Sequence, residues 1–246
     1  MPVPPEDWIV PDWPAPARVR ALITTRNGGN SAGPYASLNV SPLVGDDPAR
    51  VQANRRFLRQ FLPGEPKWLD QVHGTCVVNA ETIARPLAAD ASIAFGPGCV
   101  SVVMIADCLP ILISDRAGSR VAAVHAGWRG LAAGVIENTV RALDVAPHLL
   151  LAYLGPAIGR VAFEVGHEVR DAFLATDEAA QHAFQPHARG KWLADLLLLA
   201  RQRLAGLGVT SVYGGAHCTY SEPARFFSHR PDKVSGRMAA LVWIED

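Results

Sequence analysis

Residues 99–143 read CVSVVMIADCLPILISDRAGSRVAAVHAGWRGLAAGVIENTVRAL, and this stretch decides the fold class. Three apolar runs, 99–106, 110–114 and 120–126, are rich in Val, Ile and Leu and no longer than eight residues. Short runs of that kind predict strands rather than buried helices. Beyond them the apolar period changes: Leu131, Val135, Ile136, Val140 and Leu143 fall on one side of a predicted helix over 130–143. Strands in direct succession, then a helix, argue for an α+β fold with mixed sheets over a doubly wound α/β fold.

Working outward, residues 19–25 (VRALITT) predict a strand, followed by a glycine-rich loop over 26–34 (RNGGNSAGP). Asp46 and Asp47 before Pro48 mark a helix start, and Val51, Leu58, Phe61 and Leu62 continue it at helical spacing. Short strands are expected at 67–73 and 76–80, broken by Gly74, with further strands at 149–154, 209–213 and 238–244. The segments 166–175 and 195–206 read as helices. With no repeat and no linker, the simplest organisation is an irregular N-terminal arm over 1–17, anchored by Trp8 and Trp13, and one domain over 18–246.

A chain of 246 residues buries roughly three quarters of its unfolded surface, so it needs no covalent staples. Its 23 basic and 23 acidic residues cancel, which argues against nucleic acid or an anionic membrane as the main partner. No run approaches the eighteen apolar residues of a membrane span. Four cysteines without a CxxC pair suit a reducing compartment, and the proline-rich start lacks the basic and apolar regions of a signal peptide. The expected location is the cytoplasm.

The chemistry sits at strand ends. His73 ends DQVHG, Cys108 ends MIADC and His125 ends AAVHA just before a helix. Two imidazoles and a thiolate with a fourth position open are a known type of catalytic zinc site. Zinc there lowers the pKa of bound water to about 7 and polarises a substrate oxygen or nitrogen. Spacing alone leaves other readings open, because separations of 35 and 17 residues match no local ligand code. Cys108 reads equally as a small core residue, or as a nucleophile with His125 as its base. Asp107 and Asp90 are candidate proton-shuttling carboxylates, or caps of turns. Arg129 between Gly127 and Gly130, and Arg26 in its glycine-rich loop, are candidate anion contacts or plain surface arginines at tight turns. GPAIGRVAFEVG does not follow the dinucleotide fingerprint.

Taken together, TTRNGG, YASLNV, VGDDPARVQANRR, QVHG, ADCLPIL, AAVHAGWRGL, LGPAIG, FFSHR and GRMAALVWI resemble the laccase-domain family, the polyphenol-oxidase-like purine nucleoside phosphorylases. The resemblance runs from about Thr24 almost to the C-terminus. It implies a mixed β-sandwich flanked by helices, with metal ligands at His73, Cys108 and His125. It implies zinc as the cofactor, with copper able to compete for the same donors. The implied activities are phosphorolysis of adenosine, inosine and S-methyl-5'-thioadenosine to base and (methylthio)ribose 1-phosphate, and hydrolytic deamination of adenosine to inosine. The expected partners are therefore small molecules, nucleosides and phosphate. Cys108 and Asp107 are the expected catalytic residues, and Arg26, Asn39 and Arg129 the expected substrate or phosphate contacts. Pro231 in HRPDKVSGR stands where the family often has a second arginine, so substrate binding is not assigned to that loop.

Two other activities attach to the resemblance. One is a cytoplasmic amidase editing peptidoglycan precursors, with a metal-bound water or Cys108 as the attacking group. The other is a copper-dependent polyphenol oxidase. Such oxidases use several copper centres and paired His-x-His arrangements, whereas this chain has eight histidines and no His-x-His.

Overall fold

The apolar runs at 99–106 and 110–114 enter different sheets, and the crossing between them organises the molecule. The computed structural model describes residues 2–246. Its first half contains β1 (Val19–Ile23), α1 (Pro48–Arg59), β2 (Pro66–Lys67), β3 (Val77–Asn79), β4 (Ala91–Ala94), β5 (Val100–Ile105), β6 (Leu109–Asp115) and β7 (Val121–Ala126). Then follow α2 (Trp128–Ala133), α3 (Val135–Leu143), β8 (Leu150–Leu154), β9 (Glu164–Val165), α4 (His167–Leu174), β10 (Phe184–Pro186) and β11 (Trp192–Ala194). The chain closes with α5 (Leu196–Gly206), β12 (Ser211–Gly214), α6 (His229–Asp232) and β13 (Met238–Ile244).

One sheet has the order β1-β13-β5-β2 and a second the order β12-β8-β6-β7-β4-β3. They pack face to face through Ile23, Val103, Ile105 and Val242 of the first and Leu112, Ala123 and Tyr153 of the second. The outer face of the first sheet, with Leu22, Val102 and Leu241, lies under Trp8, Leu58 and Phe61. The outer face of the second, with Ile111, Ile113, Val124 and Ala152, is covered by Ile136 and Val140 of α3, Phe173 of α4 and Leu199 and Leu204 of α5. The result is a single-domain sandwich with helices on both outer faces. Every residue of β5, β6, β7, β8 and β13 is buried, because each sheet is covered twice. That double cover is why these strands read as continuous apolar runs rather than alternating ones.

Helix α1 starts as the sequence indicates: Asp47 caps it by accepting from the Ala49 amide, with Pro48 at the first helical position. Such a cap contributes about 1 kcal/mol. The helix predicted over 130–143 is instead two helices, because Gly134 takes the left-handed conformation (φ 100°) and ends α2. Glycine adopts that conformation without a steric cost. The strand predicted over 67–73 survives only as β2, and the remainder is loop. Sequence patterning misses β4, whose ASIA lacks β-branched density, and the small sheet β10-β11-β9. The N-terminal arm is irregular apart from a bridge between Ile9 and Ile23. It is anchored by Trp8, edge-on to Phe57 and Phe61, and by Trp13 against Tyr153. Among the described residues no helix is long and apolar enough to cross a membrane.

Candidate metal centre

The chain leaves β5 in one sheet and enters β6 in the other within the three residues Ala106, Asp107 and Cys108. Asp107 makes this crossing in the left-handed region (φ 80°), which places the Cys108 side chain at one end of the sandwich. His125 stands near the end of β7, opposite Pro110 of β6, at that same end. His73 arrives on the loop after β2, also with a positive φ (59°). The ligand atoms of His73, Cys108 and His125 all lie within 4.8 Å of one another, with Cys108 Sγ 3.8 Å from His73 Nε2.

Asp90, just before β4, holds this arrangement from behind. Its carboxylate is fully buried and accepts the backbone amides of Val72, His73 and Gly74 at 3.2, 2.9 and 2.6 Å. Its Oδ1 also receives Nδ1–H of His125 at 2.8 Å, and its own carbonyl receives the His125 amide at 2.7 Å. One carboxylate thus shapes the His73 loop and fixes the His125 tautomer. Nε2 of His125 is left to face Cys108 and can offer its lone pair to an ion once its proton leaves, with Asp90 as the outer support that metal-ligating histidines require. With four donors on its two oxygens, Asp90 occupies the place of such a support, behind the donor group. Burial pushes its pKa up, but the bonds from His125 and Gly74 and the His125 charge outweigh that and hold it below the usual range.

Close packing around the donors needs two glycines. A Cβ on Gly127 would lie 2.9 Å from His73 Cδ2 and 3.0 Å from Cys108 Sγ, and one on Gly130 would lie 2.6 Å from the Gly74 carbonyl. Burial raises the Cys108 pKa, yet the adjoining imidazoles of His125 and His73 overcome it and lower it to about 6. For His125, burial lowers the pKa, and the charges of and bonds to Cys108 and Asp90 raise it to about 9.

The donor set fits a metal ion. Donors around one tetrahedral zinc stand roughly 3.5 Å apart; Cys108 Sγ and His73 Nε2 are 3.8 Å apart and all three donors lie within 4.8 Å, so a small inward movement would seat an ion. Two imidazoles and a thiolate leave one position open, and the oriented His125 supplies the outer support. Among the described residues this is the one group of three or more such side chains within ligand distance.

The centre lies in a cleft of about 630 Å³. Its lining includes the apolar Leu43, Met104, Ile158 and Phe163 and the basic side chains of Arg129, His229, Arg230, Lys233 and Arg237. Arg230 stacks over the Phe163 ring at 5.4 Å, and Arg129 over Trp128 at 4.5 Å. Asp107 is the single acid among the described lining residues, and four hydrogen bonds already engage it.

The structure brings together His73, Cys108, His125, Asp107 and Arg129. It separates Arg26 and Asn39 from them. Arg26 donates to the carbonyls of Ala36 and Pro223 at 2.9 Å each and lies over Phe227, so it ties loops together and does not line the cleft. Asn39 is fully buried, and its Oδ1 accepts the amides of Ser41 and Arg237 at 3.0 and 2.9 Å. It supports two lining residues from one layer behind. The segment 229–237, α6 and the loop after it, set aside in the sequence because of Pro231, supplies four of the lining residues: His229, Arg230, Lys233 and Arg237. The signal for it was present as charge density in SHRPDKVSGR, but nothing local separates those charges from a solvated face.

A purine nucleoside phosphorylase of Pseudomonas aeruginosa is 56% identical over 240 residues, spanning 97% of this chain and 99% of that protein. The purine nucleoside phosphorylase YfiH of Escherichia coli is 52% identical over 241 residues, spanning 96% and 98%. Among solved structures, a protein of Neisseria meningitidis superposes with a TM-score of 0.95 at 51% identity over 98% of this chain and all of that one. YlmD of Geobacillus stearothermophilus does so with a TM-score of 0.84 at 29% identity, over 94% and 93%. The sequence matches, over residues 20–245, the family described as multi-copper polyphenol oxidoreductase laccase, and the chain belongs to that laccase-domain family.

Proposed function

We propose that this protein is a zinc-dependent purine nucleoside enzyme of the cytoplasm. It phosphorolyses adenosine, inosine and S-methyl-5'-thioadenosine to the free base and the (methylthio)ribose 1-phosphate, and it hydrolyses adenosine to inosine and ammonia. The observation that carries this reading is one cleft holding the His73, Cys108, His125 group, an apolar wall and a cationic edge. The names of the relatives, purine nucleoside phosphorylase, support the same substrate class. Four free cysteines support a reducing compartment.

His73, Cys108 and His125 would hold the ion, which supplies Lewis-acid polarisation when bound. Phe163, Ile158 and Met104 offer apolar contacts for a purine, and the cleft volume is in the range that encloses a small ligand. Arg230, Lys233 and Arg237, with Arg129, offer charged donors for phosphate. Phosphorolysis then forms a bond from a phosphate oxygen to the anomeric carbon as the bond to the purine nitrogen breaks and the purine departs with the electron pair. Holding phosphate and nucleoside side by side removes much of the entropic barrier to their encounter.

The test is a phosphate titration of inosine cleavage. In Arg237→Ala the loss of one charged partner should cost about 2–3 kcal/mol, roughly a hundredfold in phosphate use. Arg26→Ala should lower stability and leave phosphate use intact. Cleavage that runs equally without phosphate and yields free ribose would make the protein a hydrolase. A second reading, an amidase acting on peptidoglycan precursors, draws on the Cys108 thiolate beside the His125 imidazolium, a competent nucleophile pair. Release of an amino acid from a precursor peptide, with a trappable thioester at Cys108, would favour it. A polyphenol oxidase finds little support, since one three-donor group cannot hold the several coppers used to reduce dioxygen.

A further inference from the structure

We infer that Asp107 is a positioning residue, which locks the cationic edge of the cleft to the strand crossing that carries Cys108. The inference rests on the reading of that edge as the phosphate contact. Asp107 Oδ1 accepts the hydroxyls of Thr219 and Ser228, each at 2.6 Å, and Oδ2 accepts the backbone amides of His229 and Arg230, each at 2.8 Å. These four donors come from Thr219 and from residues 228–230, more than 110 residues along the chain from Asp107. The Asp107 carbonyl adds a third tie by accepting the Ile158 amide at 2.9 Å. Asp107 thus gathers the turn before β6, the apolar wall at Ile158 and the start of α6 at one point.

Two features separate this role from proton transfer. Both carboxylate oxygens already take two donors each, so the group enters the cleft as an engaged acceptor. The bonds reach the backbone of Arg230 and the residue before it, and so they set where the Arg230 side chain emerges over Phe163. The carboxylate puts charge into all four bonds; an amide side chain could still accept the two backbone amides and turn its NH₂ to the two hydroxyls, which can also accept, so Asn in its place removes the charge more than the bonds.

The test uses Asp107→Asn in the metal-loaded protein. Asparagine tolerates the left-handed backbone, so the variant changes the carboxylate and spares the crossing. Asp107→Gly, which also tolerates that backbone, serves if the asparagine protein does not fold. The expected result is a rise of about tenfold or more in the phosphate KM, from weakened charged hydrogen bonds, with kcat at saturating phosphate within about threefold. Nucleoside KM and metal content should match the unaltered protein, and amide hydrogen exchange over 228–233 should accelerate. An unchanged phosphate KM overturns the inference, as does loss of metal with Cys108 intact. So does a kcat collapse at unchanged phosphate KM, which would mark Asp107 as catalytic. If the unaltered protein shows no phosphate dependence, the phosphorolysis reading falls by itself and exchange decides. Faster exchange over 228–233 then retains the positioning role, and unchanged exchange ends it.

Discussion

Asp90→Asn is the sharpest perturbation of the metal centre, because it alters one atom of a buried carboxylate with four donors. Oδ1 receives His73 N–H and His125 Nδ1–H, while Oδ2 receives the Val72 and Gly74 amides. Asparagine keeps the shape but turns one oxygen into an NH₂ donor. With the NH₂ at the Oδ2 position, it confronts the Val72 and Gly74 amides. With it at the Oδ1 position, it confronts the His73 amide and forces His125 to accept at Nδ1, which moves the imidazole proton to Nε2 and blocks the metal-facing lone pair. Either orientation forfeits two bonds to a charged acceptor, each about 1.5–3 kcal/mol. The apo protein should therefore lose about 3 kcal/mol or more. For a chain of this size that is a fall in Tm of roughly 6–12 °C. Metal affinity should drop about 10- to 100-fold, as for other outer-shell partners of ligating histidines. The assays are thermal unfolding of the metal-free protein and competition for zinc against a chromophoric chelator. An asparagine variant with unchanged Tm and unchanged zinc affinity would refute the role assigned to Asp90.

Two further outcomes follow from the same geometry. Gly127→Ala places a methyl group against His73 and Cys108, so zinc affinity should fall at least about tenfold while far-UV circular dichroism stays unchanged; full affinity would show that the centre has slack which the packing denies. Without metal, Cys108 is a thiolate above about pH 6 and His125 an imidazolium below about pH 9, whereas ligation needs the thiolate and the neutral imidazole. Zinc binding should then release one proton from this pair between those values and two below about pH 6, so affinity declines as pH falls from about 9 and more steeply below about 6. Calorimetry at pH 7.5 in buffers of different ionisation enthalpy measures the release, and a heat independent of buffer would contradict it.

The amino-acid sequence by itself determined the main strands and the start of α1. Doubly covered strands are apolar at most positions, and the Asp47-Pro48 start acts through atoms next to one another in the chain. It also marked His73, Cys108 and His125, though through the company of motifs around them, since their spacing follows no ligand code. What only the tertiary structure decided is which polar residues reach the site. Arg26 and Arg237 each lie within two residues of a glycine, and nothing local distinguishes them. The pairing of β13 with β5 delivers the loop before β13, and Arg237 with it, to the cleft, while Arg26 turns to the carbonyls of Ala36 and Pro223. Asp90 is equally silent in sequence: its amide partners lie 16–18 residues away and His125 lies 35 away. They meet because β4 lies antiparallel to β7, bringing the residue before β4 beside His125. Strand and helix patterning are set by burial along a local period, whereas a site assembled across two sheets depends on which sheet each strand joins, and that choice is made by the packing of the whole chain.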